Sequence, residues 1–101
     1  MPFPPKRDHR ITLEAARESA RRYRESAGPD AQRGGMFPRE VFEALLAPDG
    51  CAGIRLYYGE SENGERELIA FSVDSDGNDM TSAQVFEYAF PCPPYCGGGG
   101  D

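Results

Sequence analysis

From Ile11 to Ser26 the apolar residues follow a helical beat. Leu13, Ala16, Ala20, Tyr23 and Ala27 are spaced alternately by three and four, which places them on one face of an α-helix. Thr12 is a suitable N-cap with apolar Ile11 before it. Glu14 sits in the first turn, where the helix dipole favours a negative charge. The opposite face pairs Glu14 with Arg17, Glu18 with Arg21 and Arg22, and Arg21 with Glu25. Gly28-Pro29 is a stop signal. The apolar stripe is thin, mostly alanine, so the helix must approach its partner closely. Residues 28–35 read as a polar loop. A second helix is expected over Pro38–Ala47, with proline at its first position and Phe37, Val41, Phe42, Leu45 and Leu46 as its apolar face.

Beyond the Pro48-Asp49-Gly50 turn the period changes from helical to alternating. Gly53–Tyr58 predicts a strand with Ile54, Leu56 and Tyr58 on one face and Arg55 and Tyr57 on the other. Glu60–Gly64, with Asn63-Gly64, predicts a hairpin loop. Arg66–Val73 is apolar on both sides, as in a central strand covered on both faces. After the Asp74–Asp79 turn, Ala83–Phe90 predicts a third strand. The expected fold is therefore α+β: two N-terminal helices packed on one face of a three-stranded antiparallel meander. Residues 1–10 form an extended arm, 11–90 the domain, and 91–101 a Pro/Cys/Gly tail. Two short helices cannot cover both sides of the sheet. The side left over is expected to carry Leu68 and Ala70 with Tyr57 or Val85, and to serve with Tyr95 of the tail as an interface.

Composition narrows this picture little. A chain of 101 residues, 39% hydrophobic and 28% charged, is an ordinary single domain. No apolar run approaches a membrane helix. The start, MPFPPKRDHR, lacks a following apolar stretch, so a cytoplasmic setting is expected, without excluding signal-independent export. Charge is more informative. Nine of the eleven basic residues lie in residues 1–39, which carry a net +4, and residues 40–101 carry −10. Such polarity fits either a basic helix lying on an acidic sheet or head-to-tail contact between copies.

The candidate chemistry sits in the tail, Pro91-Cys92-Pro93-Pro94-Tyr95-Cys96, which its prolines would stiffen into an extended path. Cys92 and Cys96 can stay reduced, close a disulfide, or donate to a zinc-like metal with Cys51. A closed zinc site needs four ligands, and only His9 could be added from this chain. The glycines before Asp101 read as a flexible end. Asp74-Ser75-Asp76-Gly77-Asn78-Asp79 resembles the opening of a calcium loop, but lacks the glycine at position six and the glutamate at position twelve. The only histidine lies in the arm, no phosphate loop is present, and the arginines of the first helix are interleaved with glutamates. Neither an enzyme nor a nucleic-acid binder is expected.

Ile11-Thr12-Leu13-Glu14-x-Ala16, Gly53-Ile54-Arg55-x-Tyr57-Tyr58-Gly59, Gly77-Asn78-Asp79-Met80 and Pro91-Cys92-Pro93-Pro94-x-Cys96 together resemble a family of small uncharacterised bacterial proteins with a GIRxYYG strand and a CPPxC tail. The resemblance spans Ile11 to Cys96. It implies one structural unit and no catalytic residues. The resulting expectation is a non-catalytic interaction or self-assembly module, a homo-oligomer or partner of another protein. The alternative is a thiol-metal or redox-responsive module built on Cys92 and Cys96.

Overall fold

A computed structural model describes residues 4–98 of the chain. In chain order the elements are α1 (Leu13–Ala27), β1 (Gly34–Met36), α2 (Arg39–Leu46), β2 (Cys51–Glu60), β3 (Arg66–Asp74) and β4 (Phe90–Cys92). The fold remains α+β, but the strands form two separate two-stranded antiparallel sheets, β2 with β3 and β1 with β4. The expected three-stranded meander is not formed. The chain also divides into two compact units. One comprises Phe37–Ala89 with Pro4 and Pro5. The other comprises Lys6–Met36 with the chain from Phe90 onward.

In the first unit, α2 begins after Pro38, which is the N-cap residue rather than the first helical residue. Leu45 at its far end is fully buried, together with Ala70, Ser72 and Val73 of β3. β2 and β3 pair from Glu60↔Arg66 to Cys51↔Asp74, with one irregularity between Cys51 and Gly53. In the connecting loop Gly64 adopts φ 82°, a conformation that glycine reaches at no steric cost.

The absence of the third strand has local causes. After β3 the chain does return along the free edge of that strand. Asp74 N–H donates to Asn78 O at 2.9 Å, Met80 N–H to Ser72 O at 2.8 Å, and Phe86 exchanges both backbone bonds with Ala70 at 2.8 and 3.1 Å. These contacts amount to isolated bridges at Asp79 and Phe86. A turn at Thr81–Ala83 interrupts the path between them. Beyond Phe86, Tyr88 takes φ 64°, a left-handed conformation incompatible with a continuing strand. Phe90, expected to end that strand, instead opens β4.

The second unit is held by local devices. Thr12 Oγ1 accepts from Ala15 N at 3.0 Å, which satisfies one of the free N–H groups at the start of α1. Gly28, at φ 94°, ends the helix and donates to Arg24 O. Glu18 pairs with Arg21 and lies 3.8 Å from Arg22. Tyr23 Oη donates to Gln32 O at 2.9 Å, tying the helix to the segment after it. No residue of α1 is buried. β1 and β4 pair Gly34, Gly35 and Met36 with Cys92, Pro91 and Phe90. Residues expected to be loop and extended tail thus form a short ribbon. Beyond it the chain turns back: Cys92 and Cys96 are joined by a disulfide, Tyr95 N–H donates to Pro91 O at 2.9 Å, and the Cys92–Pro93 and Pro93–Pro94 bonds are cis.

Candidate functional site

The register of the β2–β3 hairpin decides which side chains share a face. Because Glu60 lies opposite Arg66, even-numbered residues of β2 face the same way as even-numbered residues of β3. One face therefore carries Ile54, Leu56 and Tyr58 with Ser72, Ala70 and Leu68. The other carries Arg55 and Tyr57 with Phe71 and Ile69. Tyr57 is consequently on the side opposite Leu68 and Ala70, not beside them.

α2 is fastened to the first of these faces at one end. Ser72 Oγ donates to Leu45 O at 2.5 Å, and the Cys51 thiol donates to the same carbonyl at 3.2 Å and to Gly53 O at 3.3 Å. Leu45 lies in the last turn, where helix carbonyls lack intrahelical partners, so these bonds both satisfy the helix end and fix its position. An eight-residue helix is about 12 Å long. A ten-residue strand extends about 33 Å. α2 is bonded to the hairpin at its Cys51–Ser72 end, and farther along the same face large side chains of β2 are exposed. Leu56 is 50% exposed and Tyr58 is 78% exposed. Leu68 stands opposite Tyr58 and is half-buried. The Arg66 guanidinium lies 5.4 Å from the centre of the Tyr58 ring, a cation–π distance. The distal end of the hairpin is acidic, with Glu60, Glu62, Glu65 and Glu67 around Arg66.

The other face is closed by a polar network. Asp79 accepts from Arg55 Nη1 at 2.6 Å and from Tyr57 Oη at 2.5 Å, and Tyr57 packs edge-on against Phe71 at 5.4 Å. The Tyr57 hydroxyl, followed by Arg55, holds the Asp79 carboxyl below the usual range, although partial burial opposes it. The same bond to Asp79 raises the Tyr57 hydroxyl above its ordinary value. Both Asp79 oxygens are thereby engaged, and the network pins the Asn78–Met80 segment across β3.

The expected interface residues scatter. Ala70 is fully buried and supplies no surface; its backbone pairs with Leu56 on one side and Phe86 on the other. Val85 is half-buried in irregular chain beside Phe86. Tyr57 is 41% exposed but engaged with Asp79, and Tyr95 is 61% exposed and packs on Phe90 at 5.5 Å. Leu56 and Tyr58, absent from the expected interface set, are the exposed positions on the face that carries Leu68. The length of the hairpin loop carried the signal, since it fixes which positions face together.

The cysteines are also separated. The sulfurs of Cys92 and Cys96 are bonded to each other, and the Cys51 thiol is occupied by two carbonyls. Among the described residues no group of three or more His, Cys, Asp or Glu side chains is placed to hold a metal ion. At the calcium-like segment, Asp74 Oδ1 accepts from the N–H groups of Asp76 and Asn78 at 2.9 and 3.0 Å, so the carboxylate caps its own turn. Among the described residues, no helix is long and apolar enough to cross a membrane. The chain matches no family model, no curated protein and no solved structure.

Proposed function

We propose that the protein is a non-catalytic self-assembly module that associates through the open end of its hairpin face. One observation carries this reading: Leu56 and Tyr58 are large apolar side chains left exposed side by side on one face of the hairpin. Adjacent large apolar residues on an ordered strand are costly to leave in water and are the usual material of an interface core. Ser72 and Cys51 hold α2 to the hairpin, and the Asp79 network ties Arg55 and Tyr57 on its other face. The test is size-exclusion chromatography with light scattering over a wide concentration range. The expected result is a concentration-dependent oligomer that Leu56→Ser with Tyr58→Ser converts to monomer, with an unchanged circular dichroism spectrum. A wild-type chain that stays monomeric throughout would refute the proposal.

A second reading rests on the Cys92–Cys96 bond. Disulfides persist in oxidising compartments or arise by a catalysed step, so the pair fits a redox-responsive tail better than a zinc site, for which neither bonded sulfur remains a donor. Thiol titration distinguishes these: the redox reading expects one titratable thiol before reduction and three after it. Three thiols at the outset, or stoichiometric zinc by elemental analysis, would remove it.

A further inference from the structure

The second surface of an assembly is visible on α1. Helices of this length are marginal in water unless an apolar face is packed, yet none of the residues of α1 is buried and Leu13 is 59% exposed. Its stripe, Leu13, Ala16, Ala20 and Tyr23, is narrow and dominated by alanine, which permits close approach to a flat partner. Arg17, Arg21 and Arg24 run along one flank of that stripe, at helical spacings of four and three. The hairpin face is the complement in charge. It offers Leu56, Tyr58 and Leu68 as the apolar floor, Glu60 on the same face and Glu62 and Glu65 in the adjoining loop, with Arg66 over the Tyr58 ring. Both surfaces are exposed on the same chain, so a second copy brings the complementary surface in equal number.

We propose that α1 of one copy docks on the Leu56–Tyr58–Leu68 face of a second copy, with Arg21 and Arg24 directed to the acidic hairpin end. This rests on the self-assembly reading and names the occupant of the open face. The contact is heterologous, since each copy uses a helix on one side and a hairpin on the other. It propagates until a ring closes or a filament forms. Charge complementarity fixes the pairing and makes it weaken with salt.

The experiment uses two full-length variants. A helix-blocked chain carries Leu13→Glu with Arg21→Glu, and a hairpin-blocked chain carries Leu56→Ser with Tyr58→Glu. Each is expected to be monomeric by light scattering, and an equimolar mixture to give a one-to-one heterodimer and nothing larger. A milder chain, Arg21→Glu with Arg24→Glu, keeps the apolar stripe intact. It is expected to self-associate about tenfold or more weakly, and to recover when Glu62→Arg and Glu65→Arg are added. Circular dichroism of each variant verifies its folding. Should the helix-blocked and charge-reversed chains assemble like the wild type, the role of α1 is overturned while hairpin-mediated assembly stands. A mixture that yields no heterodimer overturns it equally. If the wild type itself is a monomer at every concentration, both proposals fail together.

Discussion

The two units of this protein are stabilised by different means. In the hairpin unit, long-range burial dominates: Leu45 of α2 and Ala70, Ser72 and Val73 of β3 are removed from water. A lone two-stranded hairpin is marginal, and a packed helix makes it viable. In the α1 unit an N-cap, a Glu18 ion pair and a disulfide are short in range, and a ribbon of only three residue pairs joins distant segments. Exposed ion pairs of this kind contribute little. The contrast teaches that a helix with good capping can be specified locally and still require something outside itself to cover its apolar side.

The sharpest test of this difference is Leu45→Ala. It removes a fully buried side chain and is expected to cost about 2–5 kcal/mol in urea unfolding of the hairpin unit. Leu13→Ala on exposed α1 should change stability of the unassociated chain by less than about 0.5 kcal/mol. Comparable losses from both would erase the distinction. Next comes the crosslink. Cys92→Ser with Cys96→Ser opens a very short loop, for which the chain-entropy estimate is about 2 kcal/mol. Hydrogen exchange should show lost protection at Arg33–Met36 and Phe90–Cys92, with β2 and β3 unaffected. Thr12→Ala is expected to cost about 1 kcal/mol, read as a drop in helicity over α1 alone.

The smallest expected effect is a pH dependence confined to the hairpin unit. The folded Asp79 carboxyl titrates below its ordinary value because Tyr57, then Arg55, stabilises its charged form. Its stabilising contribution is therefore complete above the unfolded value of about 3.9 and disappears as pH falls through the lower folded value. Asp79→Asn should lose stability near neutral pH, and its deficit relative to wild type should shrink in acid. Tyr57→Phe should move the Asp79 titration, followed by carbon-13 NMR, upward toward the ordinary range. An unmoved titration would remove the tyrosine from that role.

The strongly periodic elements were legible in the sequence. Thr12 and the three-four spacing marked α1, the Phe37–Leu46 apolar face marked α2, alternation before Asn63-Gly64 marked β2, and a run apolar on both sides after it marked β3. The failures have a common origin. Alternation at Val85, Phe86, Tyr88 and Phe90 records side-chain preference only. It is blind to the left-handed turn at Tyr88 and to the choice of Phe90 between two sheets. β1 and β4 are three residues each and contain Gly34-Gly35 and Pro91, residues that carry no apolar rhythm and disfavour strands. For the candidate surface, the residues were legible but the face was not. Leu56 and Tyr58 were recognised as a pair, and only the fold revealed that they stand in the open.

The ribbon has one further consequence. Met36 and Phe90 are cross-strand neighbours, so the whole Phe37–Ala89 excursion leaves and re-enters the chain through adjacent residues. Closing so long an excursion costs an unfolded chain about 3–4 kcal/mol of entropy, more than three pairs of ribbon residues repay on their own. Once the hairpin has collapsed, much of that restriction is already in place. The stem should therefore zip last during folding and unzip first on heating, making it the natural place for this chain to open.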